Sequence, residues 1–554
     1  MPLVISQTHR PASASGHLLL RAAAGAVVFL VLLPLLALGW TALQGSGDLW
    51  PHLIAYVIPR ALLETSLLVA GVGVFVGVIG TGTAWLVAVC RFPGRGVFEW
   101  MLLLPLAIPT YIQAFVYVDA VHPLGPIPTL IRGAFGLRPR DLWLPEVRSL
   151  PGCIILLGLV LYPYVYLSAR AAFLVQTASV LDAARTLGAG AGEAFFRIAL
   201  PLARPAIAVG VTLALMETVN DIGASEFLGV QTLTLSIYST WLNRSSLPGA
   251  AQIALSMLLV MFALVLLERW GRRKLKTGSI GDRARPPARR ALSPVAAGFA
   301  FLACLLPVFF GFLLPAAHLA FVAWRRVSFH GVSATILVEA ANTALLAALG
   351  TALALLLGFA VVVALRTGAL RSSLALRLAG LGYAVPGTVL AVGLLVPLAG
   401  FDNLVSNLGR QFAGLSIGLL LSGSGAALVI AYVIRFLAIP VGGLEAGYGK
   451  IGTTLDMAAR SLGEKPGGVV RRIHLPMLRP ALGAAALLVF VDCMKELPAT
   501  LMLRPLNVET LASHVYAEAA RGTYEDGALA ALLIVLVGLV PVILLARLSR
   551  PRQG

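Results

Sequence analysis

Four carboxylates could take part in chemistry because they lie in long apolar segments, where a charged side chain is costly and commonly faces a water-filled cavity. Glu217 and Asp221 are four residues apart, a spacing that puts both on one face of a helix. Asp492 and Glu496 repeat this spacing near the other end of the chain. Together they predict a translocation path or a site for a hard cation, whereas pairing with basic or backbone groups would make them structural.

No other set of residues predicts catalysis or nucleotide binding. The segment 447–454, GYGKIGTT, resembles a phosphate-binding loop, but Leu444 replaces its first glycine and Ile451 replaces the hydroxyl residue after the lysine. The eight histidines and four cysteines lack the spacing of metal or redox motifs. We therefore predict that this chain is not an enzyme and binds no cofactor itself.

Membrane helices must position these carboxylates. Hydrophobic residues make up 59% of the 554 residues and charged residues 12%, whereas about 25% of a soluble domain is charged. Apolar runs of about 20 residues, long enough to cross a bilayer as helices, recur along the chain. The predicted spans lie near 18–43, 61–90, 98–118, 150–174, 204–229, 250–268, 294–324, 335–365, 374–399, 415–437, 480–503 and 527–547. The predicted fold class is an all-α integral membrane protein of about twelve transmembrane helices.

The distribution of the net charge of +18 indicates the topology. Many basic residues lie in short loops that would share one side of the membrane, as the positive-inside rule expects. This pattern argues against a nucleic-acid partner. The segment 119–149, rich in Pro, Gly and Arg, is predicted to be an external loop. We predict a multi-pass protein of the lipid bilayer with both termini in the cytoplasm.

The two halves of the chain repeat one another. LPLAIPTYIQA at 104–114 aligns with LGYAVPGTVLA at 381–391, and 217–238 resembles 492–516. Each half contains an even number of predicted spans, so both halves enter the membrane in the same orientation, as parallel repeats about an axis along the membrane normal.

This repeat predicts three parts of the chain. They are a first half of six spans at 1–270, a basic cytoplasmic linker at 271–293 and a second half of six spans at 294–554. Glycine and proline interrupt the basic linker, and its charge would hold both flanking spans on the cytoplasmic side.

The most closely repeated segments are polar loops at 179–205 and 453–480, which we call the first and second elbow loops. Gly188 and Gly463 are 275 positions apart, and so are Pro201 and Pro476. A polar loop in an apolar chain has little packing reason to be duplicated so closely. Two copies predict a partner with two equivalent binding sites, which a symmetric dimer provides.

Each elbow loop has the signals of a short helix, a turn and the start of a span. The spacing of a capping box occurs at Ser179 and Asp182 and again at Thr453 and Asp456. Gly188 and Gly463 are suited to a left-handed helix end. Prolines that could begin the next span stand at Pro201, Pro205, Pro476 and Pro480.

These residues resemble the signature loop of permease subunits of bacterial ABC importers. The first copy of that signature is Asp182, Ala183, Ala184, Gly188, Ile198, Leu200 and Pro201. The second copy is Ala458, Ala459, Gly463, Ile473, Leu475 and Pro476, with Met457 at the acidic position and Asp456 one residue earlier. The resemblance implies that both loops dock as coupling helices on separate ATP-hydrolysing subunits.

The segments 220–254 and 495–516 are similar to fused, two-half permeases of bacterial ferric-iron uptake systems. This resemblance implies a type I ABC importer permease in the bacterial inner membrane. It also implies two copies of an ATPase subunit that use ATP and Mg²⁺, and a periplasmic binding protein that delivers ferric iron. Fused thiamine permeases are close relatives, so thiamine or another small solute is the alternative cargo.

An ion-coupled secondary transporter is the alternative of another class. Such a transporter can also have twelve spans and parallel repeats, and the four carboxylates could supply its coupling-ion site. It would need no partner subunit, so the duplicated elbow loops argue against it. A membrane scaffold without transport would not explain the symmetry between the halves.

Overall fold

The computed structural model describes residues 14–138, 141–142, 145–175, 190–272, 289–370, 374–415 and 418–548. The helices described up to residue 272 are α1 (Ala14–Leu43), α2 (Leu49–His52), α3 (Ile58–Val89), α4 (Arg95–Met101), α5 (Thr110–Val121), α6 (Pro126–Phe135), α7 (Leu150–Val175), α8 (Ala191–Glu193), α9 (Leu200–Asn220), α10 (Gly223–Phe227), α11 (Leu233–Leu242) and α12 (Leu247–Arg272).

The helices described after residue 289 are α13 (Pro294–Val308), α14 (Leu314–His330), α15 (Ala334–Arg366), α16 (Leu374–Ala379), α17 (Leu381–Ala384), α18 (Gly387–Ala413), α19 (Ala426–Phe436), α20 (Ala438–Tyr448), α21 (Thr453–Ser461), α22 (Pro466–Val469), α23 (Leu475–Met494), α24 (Pro498–Leu503), α25 (Leu511–Arg521) and α26 (Tyr524–Leu548). A 3-10 turn covers Leu104–Ala107.

Within the described residues, eleven helices are long and apolar enough to cross a membrane. The bent pair α19 and α20, with a 40° angle between them, would make a twelfth span. The predicted all-α membrane fold with about twelve spans is therefore confirmed.

Several predicted boundaries were wrong by ten residues or more. The span placed at 98–118 begins at Thr110, because Pro109 adopts an extended conformation (φ −56°, ψ 148°) that ends the preceding 3-10 turn. Pro386, its partner in the repeat, has nearly the same angles (φ −59°, ψ 146°) before α18. Part of the predicted external loop at 119–149 is helical, because α6 starts with a proline at its first position.

Prolines predicted to begin spans lie inside continuous helices instead. The helical runs continue from Ala194 to Asn220 and from Pro466 to Met494. The described residues contain four π-helical turns, and each ends two residues before a proline. These turns are Leu53–Val57, Ala194–Ala199, Phe309–Leu313 and Val470–His474, before Pro59, Pro201, Pro315 and Pro476.

The wider turn accommodates the proline. A proline has no N–H to donate, and its ring clashes with the carbonyl four residues earlier; a π turn changes the hydrogen-bonding register at that point. Side chains bond to a carbonyl at this change of register. Phe310 O accepts hydrogen bonds from Tyr117 OH (2.7 Å) and Gln113 Nε2 (3.0 Å). Such compensation allows proline inside a membrane helix.

The chain packs into two compact units. Of the described residues, one unit contains those up to 38 together with those in 344–494 and 503–506, and the other contains those in 39–343 and 495–502 and from 507 onward. Glycines allow close helix contacts within each. A Cβ on Gly393 would lie 2.3 Å from Pro34 O in the first unit, and a Cβ on Gly80 would lie 2.6 Å from the Cβ of Val165 in the second. The division of the sequence at 271–293 stays a prediction.

The repeat extends to individual hydrogen bonds within the second unit. Leu233 N, at the start of α11, donates to Thr65 Oγ1 (3.0 Å). Leu511 N, at the start of α25, donates to Thr343 Oγ1 (2.9 Å). The two threonines are 278 positions apart, and so are the two leucines. Both helices therefore attach in the same way.

A short parallel pairing joins the end of the linker to the end of α3. The strands are β1 (Cys90–Arg91) and β2 (Arg290–Ala291), with Cys90 opposite Arg290. This pairing places the residues just before β2 next to the start of α4.

Candidate functional site

The second elbow loop begins with α21, whose end shows why glycine is required at position 463. Gly463 has φ +86°, a left-handed conformation that other residues adopt only with strain. Its N–H donates to Arg460 O (3.0 Å), and Glu464 N–H donates to Ala459 O (3.0 Å). This pair of bonds is the Schellman motif, which satisfies carbonyls at the helix end. The predicted left-handed end at Gly463 is confirmed.

The capping box predicted at the start of α21 is wrong. Gly452 occupies the position before the helix, so Thr453 is its first residue and cannot cap it. The Asp456 carboxylate turns away from the helix start because Arg366 and His474 bind it elsewhere. The equivalent residues of the first loop, Ser179 and Asp182, lie outside the described residues.

Asp456 is the centre of a polar network beneath α21. Arg366 Nε, at the end of α15, donates to Asp456 Oδ2 (3.0 Å), and His474 Nε2 lies 2.8 Å from Asp456 Oδ1. Arg366 also donates to Ile451 O (3.0 Å), and His474 Nδ1 lies 3.2 Å from Tyr448 OH. Burial raises the pKa of the Asp456 carboxyl, but His474 and then Arg366 outweigh burial, so its pKa falls below the ordinary value. The Asp456 network therefore ties the elbow helix to two other helices.

The elbow exposes a group of apolar side chains. Met457 is 58% exposed and Leu462 is 85% exposed, on a short helix that is not itself long enough to span a membrane. Ala458 is exposed as well, whereas Ala459 is buried against the body of the protein. Exposed apolar side chains grouped in this way are typical of a protein interaction surface.

The remaining signature residues follow the turn. Ile473 is half-buried in the π turn, and Leu475 and Pro476 are exposed at the start of α23. In the first copy, Ile198, Leu200 and Pro201 are all half-buried around the equivalent π turn. Pro205 and Pro480 lie inside α9 and α23. Four signature residues lie outside the described residues: Asp182, Ala183, Ala184 and Gly188.

Two of the four candidate carboxylates cap short helices. Asp221 accepts hydrogen bonds from Ser225 N (2.9 Å) at the start of α10 and from Thr110 Oγ1 (2.5 Å). Glu496 accepts hydrogen bonds from the backbone of Ala499 (2.9 Å) and Thr500 (3.0 Å) at the start of α24. A carboxylate at this position satisfies helix N–H groups that have no partner in the helix.

The predicted shared helical face is wrong for both pairs. Asp221 follows the end of α9 with ψ 134°, so it no longer lies on the face that carries Glu217. Similarly, α23 ends at Met494, so Glu496 leaves the helix that carries Asp492. Glu217 and Asp492 are half-exposed. Within the described part of the chain, no group of three or more His, Cys, Asp or Glu residues is arranged to hold a metal ion.

Sequence reasoning missed the other members of the Asp456 network. Arg366 is separated from Asp456 by 90 positions and Tyr448 by eight, and neither belongs to the signature. One signal was available: His474 replaces Ala199 in an otherwise closely repeated segment. A histidine introduced at a buried position usually has a polar partner.

Known proteins match this chain as follows. A family described as "Binding-protein-dependent transport system inner membrane component" matches residues 78–277. The chain is 25% identical to the Fe(3+)-transport system permease protein FbpB 2 of Haemophilus influenzae, over 88% of this chain and 89% of that protein. It is 26% identical to the probable ABC transporter permease protein y4fN of Sinorhizobium fredii, over 96% and 95%.

A shorter relative matches only part of the chain. The molybdenum transport system permease protein ModB of Escherichia coli is 27% identical over 34% of this chain and 81% of its own length. The relatives thus include both a one-half permease and permeases of this length. Together with the apolar helices and the repeat, these matches indicate the class. The chain is a multi-pass membrane protein with the type I importer permease fold, and it is similar to permease components of binding-protein-dependent ABC importers.

Proposed function

We propose that this permease imports ferric iron delivered by a periplasmic binding protein. The observation that carries the proposal is the match to FbpB 2, a ferric-iron permease, which extends along both halves and covers 88% of this chain. A match to ModB supports a second candidate, an oxyanion such as molybdate, but it covers only 34% of the chain. Ferric iron is therefore the better supported cargo.

Two ATPase subunits would drive import from the elbow loops. The proposed contact residues are Asp182, Ala183, Ala184, Gly188, Ile198, Leu200 and Pro201 in the first loop and Ala458, Ala459, Gly463, Ile473, Leu475 and Pro476 in the second. The apolar surface around Met457 and Leu462 supports this proposal, because it would be buried by a partner. ATP and Mg²⁺ would be used by the partner subunits, with both termini of this chain on their side of the membrane.

The second elbow is built to transmit movement. The Schellman end at Gly463 fixes the direction of the turn, and the Asp456 network joins α21 to the end of α15 and to the π turn before α23. A displacement of α21 would therefore reach the spans through ion pairs and a continuous helix. ATP-driven closure would favour one orientation of the path only if the partners bind the two states differently.

The four carboxylates are proposed to have two different roles. The caps formed by Asp221 and Glu496 support a structural role for these two residues. Glu217 and Asp492 remain predictions for the translocation path.

Reconstitution tests the proposal. The permease, its ATPase and its binding protein are placed in proteoliposomes, and uptake of radioactive ferric iron and of molybdate is measured with and without ATP. We expect ATP-dependent uptake of iron and none of molybdate. Uptake of molybdate would assign the oxyanion instead, and uptake driven by an ion gradient without the ATPase would overturn the importer mechanism.

A further inference from the structure

An arginine cluster in the second unit has more positive charge than its neighbours among the described residues balance. It consists of Arg95 on α4, Arg170 on α7 and Arg289 before β2, around Glu99. Arg170 Nη2 donates to Glu99 Oε1, and Arg95 Nη1 lies 3.7 Å from Glu99 Oε2. One carboxylate is thus shared between two guanidinium groups, and a third lies close by.

Arg289 acts on both of the other arginines. Burial and then the positive charge of Arg289 lower the pKa of the Arg95 guanidinium, and the charge of Arg289 also acts on Arg170. The pairing of β1 with β2 holds Arg289 in this position, because Arg290 is fixed opposite Cys90. Like charges held together in this way favour an additional anion.

Arg170 has a hydrogen-bond donor that the protein leaves unused. It is only 8% exposed, yet its buried Nε has no hydrogen-bond partner among the described residues. A buried donor without a partner is costly. The guanidinium edge formed by Nε and a neighbouring amino group matches the spacing of two phosphate oxygens.

The surroundings of the cluster favour a lipid over a soluble anion. Val97 is 47% exposed and Phe301 is 36% exposed. Phe301 packs against Phe98 with 5.2 Å between ring centroids, and its ring lies 3.4 Å from the position of a Cβ on Gly94, next to Arg95. A phosphate at the arginines would therefore have apolar side chains beside it, where an acyl chain could lie.

We propose that the arginine cluster binds the headgroup phosphate of an anionic phospholipid. Basic pockets between transmembrane helices on the cytoplasmic side are suited to such headgroups, and the charge pattern predicts that Arg95 and Arg170 lie on that side. The phosphate would lie against Arg289 and Arg95, which are accessible, and would compensate the charge that Glu99 leaves unbalanced. Arg170 Nε, which the protein covers, would donate to the phosphate only after neighbouring side chains move apart. The site would also hold the end of the linker against α4, through Arg289.

The experiment compares two neighbouring arginines in the full chain. Purified protein is exchanged into vesicles of phosphatidylglycerol or phosphatidylcholine, extracted in mild detergent, and the lipids retained are counted by native mass spectrometry. Arg289→Gln should retain phosphatidylglycerol about fivefold less strongly, the effect expected for one basic residue near an anionic headgroup. The matched control is Arg290→Gln, which removes the same charge from the adjacent, likewise exposed residue of β2 and should retain lipid like the unchanged protein.

A second variant works in the opposite direction. Glu99→Gln removes the competing carboxylate, so the thermal stabilisation by phosphatidylglycerol over phosphatidylcholine should become larger than in the unchanged protein. If this variant does not fold, the pair at 289 and 290 still decides the question.

Three results would overturn the proposal. Equal losses in Arg289→Gln and Arg290→Gln would show only general surface charge. Stabilisation by inorganic phosphate in phosphatidylcholine, as strong as that by phosphatidylglycerol, would assign the site to a soluble phosphate compound. If Arg289→Gln retains lipid normally but binds the ATPase subunit more weakly, the arginine cluster is a site of protein contact.

Discussion

Asp221 in the first half of the sequence and Glu496 in the second half both cap a short helix that follows a long one. Pro109 and Pro386 adopt nearly the same backbone angles, and a π turn precedes the proline in both elbow segments. The halves are thus alike in the way they satisfy backbone groups within an apolar environment.

Equivalent positions on the predicted cytoplasmic side differ. Arg170 belongs to the arginine cluster, and the residue 275 positions later is Glu445, which is exposed. His474 belongs to the Asp456 network, and its equivalent in the first half is the buried Ala199. In the second half, the charges of Asp456 and Arg366 compensate one another directly.

This contrast shows which features can differ between the two repeated halves. A backbone N–H or C=O buried in an apolar environment must find a partner inside the protein, so both copies keep the same solution. Side-chain charge at the polar ends can be balanced by water, lipid or a partner subunit, so the copies can differ there. Substitutions at the features that both halves share should therefore have equal effects in the two halves. Substitutions at the polar ends should have unequal effects.

The largest effect is expected from Asp456→Ala, in the Asp456 network, which we describe only in the second half. Arg366 would lose its counter-charge and the buried His474 its hydrogen-bond partner, which costs on the order of 3 kcal/mol of unfolding free energy. Thermal unfolding should shift down, and ATP-dependent uptake in the reconstituted importer should fall strongly.

Glu464→Ala is the control for that substitution. Glu464 pairs with Arg472, which is 74% exposed, so its loss should cost less than about 1 kcal/mol. Similar losses of stability in Asp456→Ala and Glu464→Ala would show that the Asp456 network does not hold the elbow.

Asp221→Ala and Glu496→Ala test the carboxylate caps that both halves share. Each removes a helix cap, so each should destabilise the protein by about 1–2 kcal/mol, and the two values should agree. The amide variants Asp221→Asn and Glu496→Gln keep one acceptor oxygen and should recover part of the loss. If the amide variants are stable but no longer transport iron, these carboxylates contact the cargo and the capping role is insufficient.

Gly463→Ala addresses the shape of the second elbow. A side chain at φ +86° costs about 1–2 kcal/mol, so the turn should change direction, and uptake should fall while the partner still hydrolyses ATP. Gly467→Ala, in α22 with open space around it, is the matched control and should transport normally. Equal uptake by both variants would contradict a requirement for the left-handed turn.

The smallest effect concerns pH. The pKa of His514 is raised mainly by its hydrogen bond to the Glu339 carboxylate, against burial, with Glu518 and Asp526 also nearby. A raised pKa adds stability in full below the unfolded value of about 6.5, and the gain is lost as pH rises through the folded pKa. His514→Gln should thus cost about 1 kcal/mol at pH 6 and progressively less at higher pH.

The equivalent of His514 in the first half provides the control. Ser236 is 278 positions earlier and donates to the backbone oxygen of Thr232 (2.9 Å). Ser236→Ala should therefore change stability by an amount that does not depend on pH. Parallel pH curves for both variants would remove His514 as the source of this asymmetry.

Local signals in the sequence were sufficient for the fold class and for part of the elbow. Apolar runs predicted the spans, and Gly463 predicted the left-handed helix end because few other residues tolerate that backbone. The alignment of Pro109 with Pro386 also matched the structure. These features depend on a single residue or on its close neighbours, so the sequence is enough to predict them.

The features that were missed depend on distant partners or on compensation. The spacing of Thr453 and Asp456 is correct for a capping box, but Arg366 and His474 compete for the carboxylate. Pro201 and Pro476 look like helix starts because the cost of an internal proline is usually high. The π turns reduce that cost, but the residues within such a turn do not predict that it will form.

The composition of the first compact unit also has a consequence for synthesis. Arg21 Nε donates to Ala369 O (2.8 Å), and Pro34 packs closely against Gly393, so the first helix is completed by residues that are made much later. At about 5–20 residues per second, the ribosome needs roughly 15–60 s to travel from residue 38 to residue 344. During that interval α1 must wait in the bilayer without these packing partners, where another helix or an insertion factor can cover it.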